Sequence, residues 1–417
     1  MNFGVDVVAA LAAEGHTVEV LRSEIGDCLE IPMPETPWVV HHLTDMPAER
    51  RRAEYDAVIA NLGDHFGYHG ALAPMLSAPE AVLIIHDAFL GHYCGGWAQL
   101  FPDPDQALRA MVRTAYGPEA LSPEVPYWVS LDEMMRRRPM IELFAGNAMG
   151  AVVHARHYLN RVASVCPGPV VEIPLSSRDL NIVPPPLASE TLVIATIGHV
   201  NANKQITEVI RAIGSSAALR ACCRYVVIGP IEPDERQRIE AMMSAHNVTA
   251  VEFTGWIDDD ALRDRLAGVD AICCLRFPIL EGGSGSVIVA MLSGRAVLVS
   301  DHGVYGELPD NVVLKCHPGA EAVDIARHLE SLLADHPARL AYGARARTYA
   351  LRVNSPKHYA HALMALVERA LAAGPAVCAG VQLGQILGSF GLASDDPAAH
   401  AAAAALTGLL GLNEGDD

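Results

Sequence analysis

Short apolar runs rich in Val and Ile alternate with segments of helical periodicity along most of this chain. Continuous apolar runs bounded by Gly, Pro or polar residues are typical of strands buried on both faces of a parallel sheet. The predicted strands are Thr17–Leu21, Ala57–Ala60, Ala81–Ile85, Ala151–His154, Val170–Ile173, Thr191–Ile197, Arg224–Ile228, Val251–Phe253, Ala271–Leu275, Ala296–Ser300 and Val312–Lys315. The predicted helices include Val5–Ala13, Ile206–Ile213, Pro233–Ala245, Asp259–Ala267 and Ser286–Leu292. This alternation predicts an α/β fold of doubly wound, Rossmann-like domains.

The length of 417 residues predicts two or three domains, because one ordinary core does not grow to this size. The segment 174–190 contains Pro184-Pro185-Pro186, which cannot continue a helix or a central strand, so it predicts a linker. The predicted domains are an N-terminal Rossmann-like domain over 1–175, a C-terminal one over 190–350, and helices with an acidic tail over 351–417.

The two ends of the chain depart from this rhythm. Residues 320–373 predict two or three helices, and the tail after Gly374 predicts one helix and a frayed acidic end, Asn413–Asp417. At the other end, Met1 leads almost directly into a helix, so the strand that normally opens an α/β domain is missing. One interpretation is a start codon about 10–25 residues upstream, enough for a strand and a short turn. The alternative is a genuine truncation, which favours a protein without activity.

Charge and composition exclude several classes of protein. Lys and Arg number 30 against 49 Asp and Glu, a net charge of −19, which opposes binding to nucleic acid and to anionic lipid. No run of 18 uncharged apolar residues is present, so no transmembrane helix is expected, and the N-terminus does not resemble a signal peptide. We therefore expect a cytoplasmic protein with at most peripheral contact at the inner membrane.

The cysteines and histidines give no metal or disulfide pattern. The nine Cys include the adjacent pairs Cys222-Cys223 and Cys273-Cys274 in strand-like contexts, which favours buried, reduced thiols. No HExxH or CxxC sequence is present, so no metal site is expected. Asp258-Asp259-Asp260 is interpreted as the N-cap of a helix and not as a metal motif.

The first candidate motif is the loop after the strand Thr191–Ile197. Gly198 permits a tight turn, and Lys204 precedes a helix, where a cation and helical N–H groups favour an anion. A solvated loop lysine is the alternative. The sequence GxxxxGK[ST] is absent and no GxGxxG follows a strand, so neither a Walker A loop nor a dinucleotide site is predicted.

The second candidate motif follows the strand Ala271–Leu275. Glu281 precedes the Gly- and Ser-rich residues Gly282, Gly283, Ser284, Gly285 and Ser286, which open a helix. Such a loop admits a ligand to the backbone, and the helical N–H groups can bind a diphosphate. A carboxylate beside a diphosphate fits a neutral partner such as sugar hydroxyls. A flexible loop with a solvated Glu is the alternative.

The third candidate motif is His86-Asp87, at the end of the apolar strand Ala81–Ile85, where α/β sheets place ligand-binding residues. A structural histidine is the alternative. The preceding segment Asn61–His69 ends another strand and would line the same edge of the sheet.

Together these motifs resemble the retaining GT-B glycosyltransferases of family 4, in particular bacterial members associated with cell-surface polysaccharides. The resemblance rests on six motifs in order: Asn61-Leu62-Gly63 with Tyr68-His69, His86-Asp87, Gly198 to Lys204, Leu275 to Pro278, Glu281 to Ser286, and Val299 to Pro309. It covers nearly all of the chain. It implies two Rossmann-like domains with a cleft between them, and transfer of a sugar from a nucleotide-sugar to a carbohydrate or lipid-linked acceptor.

The resemblance also implies roles for individual residues. His86, Lys204 and Glu281 would be catalytic, with Lys204 at the donor diphosphate, Glu281 at the sugar hydroxyls and His86 near the reacting carbon. The residues expected to bind the donor, a UDP- or GDP-sugar, are Gly198, His199, Asn203, Lys204, Trp256, Arg276, Glu281, Gly282, Gly283, Ser284, Gly285 and Ser286. Trp256 would stack on the nucleobase or simply pack. Neither a cofactor nor a metal is expected.

Two positions depart from the family pattern. His199 stands where many relatives have Arg, and Val289 replaces the second Glu of the Glu-x7-Glu pattern, which usually binds the ribose. These departures, with the missing first strand, leave a second hypothesis open: a degenerate, non-catalytic GT-B protein that binds a ligand or a partner enzyme. A two-domain solute-binding protein is a third, weaker alternative because no signal peptide is evident.

Overall fold

The computed structural model describes residues 3–33, 35–117, 120, 130–182, 190–392 and 396–409. The strands in this part of the chain are β1 (Val20–Arg22), β2 (Val40–His42), β3 (Ile59–Leu62), β4 (Val82–Ile85), β5 (Gly150–Val153), β6 (Val170–Glu172), β7 (Leu192–Ile197), β8 (Cys223–Ile228), β9 (Val251–Gly255), β10 (Ala271–Cys274), β11 (Ala296–Ser300) and β12 (Leu314–Cys316). The helices are α1 (Phe3–Ala13), α2 (Ala48–Glu54), α3 (Phe66–His69), α4 (Gly91–Ala98), α5 (Pro104–Tyr116), α6 (Leu131–Arg137), α7 (Ile141–Ala145), α8 (Arg156–Ala163), α9 (Ile206–Ser215), α10 (Ala217–Cys222), α11 (Pro233–Ala245), α12 (Asp259–Ala267), α13 (Gly285–Leu292), α14 (Gly303–Gly306), α15 (Glu321–Ala334), α16 (His336–Val353), α17 (Pro356–Ser389) and α18 (Pro397–Leu409).

Contacts between residues divide the chain into two compact units. One comprises Met1–Gly15 and Pro174–Ala360 and is called here the six-stranded unit; the other comprises His16–Ile173 and His361–Asp417 and is called the four-stranded unit. The predicted domain ranges cut the chain at single points, whereas these contacts group the first helix with the later segment and the last helices with the earlier one.

The six-stranded unit is a doubly wound α/β structure. Its parallel sheet has the order β12-β11-β10-β7-β8-β9. Alternate residues of each central strand enter different cores. Ile194 and Cys273 face the layer that holds α9 and α15, and Ala195 and Ile272 face the layer that holds α13 and α16. Burial on both faces explains why these strands are continuously apolar in sequence.

The four-stranded unit contains two parallel sheets, one with the order β3-β4-β5-β6 and one that pairs β1 with β2. Each of the eleven predicted strands has an observed counterpart. The sequence analysis missed β2, whose three residues are all half-buried and include His41 and His42, so the apolar run at this strand is limited to Trp38-Val39-Val40. No strand precedes α1 among the described residues.

The C-terminal helices differ from the prediction at Gly374. Helix α17 passes through Gly374 and contains Pro375, so the predicted break there is wrong; a second helix, α18, follows it. The helical stretch His336–Ser389 has the length and hydropathy of a membrane-spanning helix, and one third of its most apolar window is buried. The sequence analysis expected no transmembrane helix because it searched for an uninterrupted run of 18 uncharged apolar residues. It overlooked this segment because a few polar residues are scattered through it. The acidic end Asn413–Asp417 and Pro184-Pro185-Pro186 lie outside the described residues.

Two smaller predictions have clear outcomes. Asp258 caps α12 by accepting a hydrogen bond from the main-chain N–H of Ala261 at 2.8 Å, which confirms the interpretation as an N-cap. All nine cysteines are free, and five are fully buried. Cys222, however, ends helix α10 and only Cys223 begins a strand, so the strand-like context assigned to Cys222 was wrong.

Candidate active site

The central feature of the six-stranded unit is the point where β7 lies between β8 and β10 and the strand order reverses. In doubly wound sheets, ligands bind outside the carboxyl ends of the strands at this switch point. β7 ends at Ile197 and is followed by Gly198, and β10 ends at Cys274, two residues before Arg276. The first and second candidate motifs therefore lie on adjacent strands at this edge.

Lys204 is buried at this edge, with 3% of its surface exposed. Its Nζ donates a hydrogen bond to the main-chain oxygen of Ile197. Burial, together with the nearby positive charge of Arg276, lowers the pKa of Lys204 to about 7. A buried ammonium that has only a carbonyl as its hydrogen-bond partner favours the arrival of an anion. The alternative of a solvated loop lysine is excluded by this burial.

Gly198 is the residue around which this corner closes. Its backbone φ angle of +94° is rarely adopted by residues that have a side chain. A Cβ atom at this position would lie 3.0 Å from Lys204 Nζ and 3.2 Å from Ser286 Oγ. The next turn is tighter still, because a Cβ on Gly229 would lie 2.2 Å from the Gly198 oxygen. Glycine is therefore needed at both positions.

Glu281 is held by two side chains from different elements. Arg276 Nε donates to its Oε1 atom at 3.0 Å, and the hydroxyl of Tyr305 donates to the same atom. Glu281 and Arg276 are both mostly buried, with side-chain exposures of 18% and 11%. Burial raises the pKa of Tyr305 well above its ordinary value, and the charge of Glu281 adds to this effect, so Tyr305 remains a donor. Because both contacts fall on Oε1, Oε2 is the atom placed to accept from a ligand.

The glycine-rich loop ends at α13, whose N-terminus begins at Gly285 after Ser284. Ser284 makes no side-chain cap, so the first N–H groups of this helix are available to an anion. Ser286 lies in the first turn and donates through Oγ to the Ile197 oxygen at 3.3 Å. Of the two glycines before the helix, Gly282 is buried and Gly283 is half-buried.

The two loops at the switch point are tied together. The main-chain N–H of Phe277 donates to the Asn203 oxygen at 2.8 Å, and Gln205 Nε2 donates to the Phe277 oxygen at 3.4 Å. The Oδ1 atom of Asn203 is buried and has no hydrogen-bond partner. A buried acceptor without a partner is costly, and a ligand hydroxyl would satisfy it.

Three other predicted positions have different environments. Trp256 follows the turn at Gly255 and is 74% exposed, so the alternative that it simply packs is wrong. His199 is exposed and contributes no buried charge. Val289 is 2% exposed and belongs to the hydrophobic core beneath α13, so a ribose-binding carboxylate is replaced here by a core residue.

In the four-stranded unit, His86 immediately follows β4 and lies among polar groups from the adjacent strands. Its Nε2 lies 3.0 Å from Asn61 Oδ1 in β3, and its Nδ1 lies 3.1 Å from Nε2 of His154, which follows β5. Burial lowers the pKa of His86 well below its ordinary value and that of His154 to about 4. Both rings are therefore neutral at neutral pH.

A second polar group lies beside these histidines. Asp64 accepts from the main-chain N–H groups of His92 and Tyr93, at the start of α4, and its own N–H donates to Asp87 Oδ2 at 2.7 Å. Burial raises the pKa of Asp64, while its hydrogen bond raises the pKa of His92. Burial lowers the pKa of His69 to about 4. Asp64 thus holds the loop after β3 against α4.

The predicted residues of the second half of the chain assemble at one edge of one sheet: Lys204, Gly198 and Asn203 with Arg276, Glu281 and the start of α13. His86 lies in the other unit. The sequence analysis did not single out Tyr305, His154 or Asp64. His154 ends an apolar strand just as His86 does, and this signal would have found it. Among the described residues, no group of three or more His, Cys, Asp or Glu is placed to hold a metal ion.

Solved structures similar to this chain are glycosyltransferases of GT-B fold. The sucrose-phosphate synthase of Thermosynechococcus elongatus (tll1590) matches with a TM-score of 0.60 and 17% identity, over 88% of this chain and 92% of that one. WaaG, a glycosyltransferase involved in lipopolysaccharide biosynthesis, matches with a TM-score of 0.55 and 15% identity, over 86% and 94%. Anabaena Alr3699/HepE in complex with UDP-glucose matches with a TM-score of 0.55 and 13% identity, over 79% and 86%.

No curated protein sequence matches the chain. Residues 177–349 match the family model described as glycosyl transferases group 1, and this range contains Gly198, Lys204, Arg276, Glu281 and α13. The predicted fold class is confirmed: the chain has the α/β fold with parallel sheets of GT-B glycosyltransferases.

Proposed function

We propose that this protein is a retaining, family 4 type glycosyltransferase that moves a sugar from a nucleotide-sugar to a carbohydrate or lipid-linked acceptor, in cell-surface polysaccharide or glycan biosynthesis. The observation that carries the proposal is the convergence of Lys204, Arg276, Glu281 and the α13 N-terminus at the switch point of the six-stranded sheet. This substrate class is supported by two similar proteins: Alr3699/HepE, whose structure is in complex with UDP-glucose, and WaaG, which is involved in lipopolysaccharide biosynthesis.

The chemistry follows from where charge develops. When the bond between the sugar and the diphosphate breaks, the diphosphate gains negative charge and the sugar gains oxocarbenium character. Lys204 and the N–H groups of α13 would stabilise the leaving diphosphate, with Arg276 beside them. Glu281 would accept hydrogen bonds from sugar hydroxyls through Oε2. This scheme uses protein cations and a helix N-terminus in place of a metal, and it needs no cofactor.

The remaining predicted residues take supporting roles in this proposal. Gly198 and the residues Gly282 to Ser284 would let the donor approach the backbone, and Asn203 Oδ1 would accept from a donor hydroxyl. The exposed ring of Trp256 would stack on the nucleobase, and the exposed His199 would lie beside the donor. In the four-stranded unit, His86 would act as a catalytic residue.

A second candidate function is a non-catalytic GT-B protein that binds a ligand or a partner enzyme. The observation that favours it is Val289, because a buried core residue at this position leaves the ribose without its usual carboxylate. Under this hypothesis nucleotides bind weakly or not at all, and turnover is absent.

A panel of UDP- and GDP-sugars tests the proposal. The full chain is incubated with each donor without acceptor, and release of the nucleoside diphosphate is followed with Lys204→Ala as the matched control. Slow release of UDP or GDP from one donor, lost in Lys204→Ala, is the expected result. No release from any donor by the wild type, also in the presence of glycan acceptors, would instead favour the non-catalytic protein. The anomeric configuration of a transfer product, measured by NMR, tests retention.

Cell fractionation tests the proposed location, which is the cytoplasm with at most peripheral membrane contact. The net charge of −19 opposes binding to anionic lipid, while the stretch His336–Ser389 has the length and hydropathy of a spanning helix. Release of the protein by washing membranes with high salt is expected. Retention after alkaline carbonate extraction would contradict this location and assign a membrane role to α17.

A further inference from the structure

A continuous series of hydrogen bonds crosses the carboxyl edge of the four-stranded sheet, with one member from or just after each strand. Asn61 lies in β3, His86 follows β4, His154 follows β5 and Ile173 follows β6. Asn61 Oδ1 lies 3.0 Å from His86 Nε2, His86 Nδ1 lies 3.1 Å from His154 Nε2, and His154 Nδ1 lies 2.9 Å from the Ile173 oxygen. We call these four residues the histidine series.

The last member fixes the protons along the series. The oxygen of Ile173 can only accept, so Nδ1 of His154 carries a hydrogen. A neutral His154 then has a lone pair at Nε2, and this atom can only accept from His86. The Nδ1 atom of His86 must therefore carry the hydrogen, which leaves the lone pair of a neutral His86 ring at Nε2.

His154 is well placed to impose this order, because it is 4% exposed and held on both sides. Its main-chain N–H donates to the hydroxyl of Tyr158 at 2.7 Å, and that hydroxyl donates to the oxygen of Ile85 at 2.9 Å, the residue before His86. The backbones that carry the two histidines are thus joined through Tyr158 as well as through their rings. The ring of His154 has little freedom to turn.

We propose that His154 is a positioning residue that holds His86 in the tautomer with its hydrogen on Nδ1, so that His86 Nε2 acts as a hydrogen-bond acceptor. The role in catalysis rests on the proposed function, whereas the tautomer itself does not. An acceptor at Nε2 selects partners that donate, such as a hydroxyl or an amide N–H, and rejects an unprotonated phosphate or carboxylate oxygen. His86 is therefore suited to a donor such as a sugar hydroxyl and does not act as a cation.

With Oδ1 toward His86 Nε2, the Asn61 amide would place two acceptors face to face, so this assignment requires the amide in its other orientation. Rotating the amide by 180° exchanges Oδ1 and Nδ2 and places a donor 3.0 Å from the Nε2 lone pair. The ring is then satisfied without ligand, and a sugar hydroxyl replaces or shares this donor. The other titratable groups near His86 are His69 and Asp87. The side chains of His69 and Asp87 lie close to Gly63, between β3 and α3, and His69 contributes to the lowered pKa of His86.

The test measures the tautomer directly and activity separately. The full chain is labelled with 15N-histidine, and the nitrogen shifts of His86 are assigned by comparison with His86→Gln. The expected wild-type result at neutral pH is a protonated Nδ1 and an unprotonated Nε2. A protonated Nε2 in the wild type would overturn the inference, whether or not the protein transfers sugar.

Two substitutions of His154 separate positioning from packing. His154→Phe keeps a ring but removes the acceptor, so His86 is expected to gain the Nε2–H tautomer and kcat to fall by about tenfold or more. His154→Gln offers Oε1 as an acceptor and Nε2 as a donor, so it is expected to retain the Nδ1–H tautomer and most of kcat. An unchanged kcat in a folded His154→Phe protein with an altered tautomer would overturn the positioning role. If His154→Phe fails to fold, His154→Gln and Asn61→Asp decide, because a carboxylate at residue 61 is expected to place a hydrogen on Nε2 and to raise the pKa of His86.

Failure of the proposed function gives a different pattern. If no donor turns over in the wild type, the NMR measurements on wild-type and variant proteins still decide whether His154 fixes the tautomer. If donors turn over and the tautomer is as expected, the kcat values decide whether the tautomer matters for transfer.

Discussion

Lys204 and Ser286 both donate hydrogen bonds to the main-chain oxygen of Ile197, although one lies in the loop after β7 and the other in the first turn of α13. This shared acceptor brings Lys204, the only buried lysine in the part of the chain that the structure describes, to the start of a helix whose N–H groups are uncapped. The ammonium has no carboxylate as its hydrogen-bond partner, and the positive charge of Arg276 disfavours its charged form. An anion bound beside Lys204 would supply the missing negative partner and would offset the repulsion between Lys204 and Arg276.

Replacing Lys204 by Ala is expected to reduce sugar transfer or donor hydrolysis by at least about tenfold, the loss of about 1.4 kcal/mol of transition-state stabilisation. Lys357→Ala is the matched control, because Lys357 is exposed on α17. Initial rates at saturating and limiting donor give kcat and kcat/KM for each variant. Turnover close to the wild type in a folded Lys204→Ala protein would remove Lys204 from the site.

The pH dependence of nucleotide binding follows from the lowered pKa of Lys204, about 7 in the free protein. A bound diphosphate raises this pKa, so binding takes up a proton between the free and the bound values. The affinity for UDP or GDP is therefore expected to be full below pH 7 and to fall as the pH rises, by at most about tenfold per pH unit. Calorimetric titration of UDP or GDP at pH values from about 6 to about 9 measures this change in affinity. Lys204→Arg keeps its charge throughout, so a decline of equal steepness in that variant would contradict the assignment.

Glu281 and Tyr305 allow a double-mutant cycle. Glu281→Gln is expected to lower turnover by about tenfold or more, and Tyr305→Phe by about threefold to tenfold, because the phenol positions Glu281 through Oε1. If Tyr305 acts only through Glu281, the double variant matches Glu281→Gln. Additive losses in the double variant would show that Tyr305 contacts the donor independently.

The sequence predicted the site residues that directly follow apolar strands, but it did not predict those whose role comes from contacts with distant parts of the chain. Lys204, Glu281 and His86 follow apolar strands, so their positions at the carboxyl edges could be predicted from periodicity alone. Tyr305 and His154 could not be ranked, because their importance comes from contacts across the sheet that have no sequence spacing. Tyr305 reaches Glu281 from 24 residues away, and His154 reaches His86 from 68 residues away.

The fold was predicted well where strands are buried on both faces and poorly where they are not. β7 and β10 are continuous apolar runs, and their bounds differ from the prediction by one residue at most. β2 consists of Val40, His41 and His42, a half-buried strand of which only the first residue is apolar, so the short apolar run Trp38-Val39-Val40 that leads into it was not recognised as a strand. The predicted end of the helix at Gly374 failed because a glycine and a proline, which destabilise an isolated helix, are tolerated within the long helix α17.

Gly229 lies in the turn between β8 and α11, and replacing it by Ala is expected to destabilise the protein. Its φ is +143°, and a Cβ would lie 2.2 Å from the Gly198 oxygen, so Gly229→Ala forces the two turns apart. We expect a loss of at least about 2 kcal/mol in the free energy of unfolding. Gly268→Ala is the control, because its Cβ would approach no atom closer than 3.8 Å. Urea unfolding followed by circular dichroism measures both; equal stability of the two variants would show that the backbone adjusts.

Trp256 provides the last prediction, because its exposure separates binding from stability. With 74% of its surface exposed after the turn at Gly255, the indole buries little in the free protein, so Trp256→Ala is expected to leave the urea midpoint unchanged. If the ring stacks on the nucleobase, the same variant weakens UDP or GDP binding by about tenfold, and Trp256→Phe retains most of the affinity. Calorimetric titration of the nucleoside diphosphates into the three proteins measures the difference. Equal affinities would place the base elsewhere, whereas a loss confined to Trp256→Ala would fix the nucleobase end of the donor site at the carboxyl end of β9, on the opposite side of β8 from Lys204.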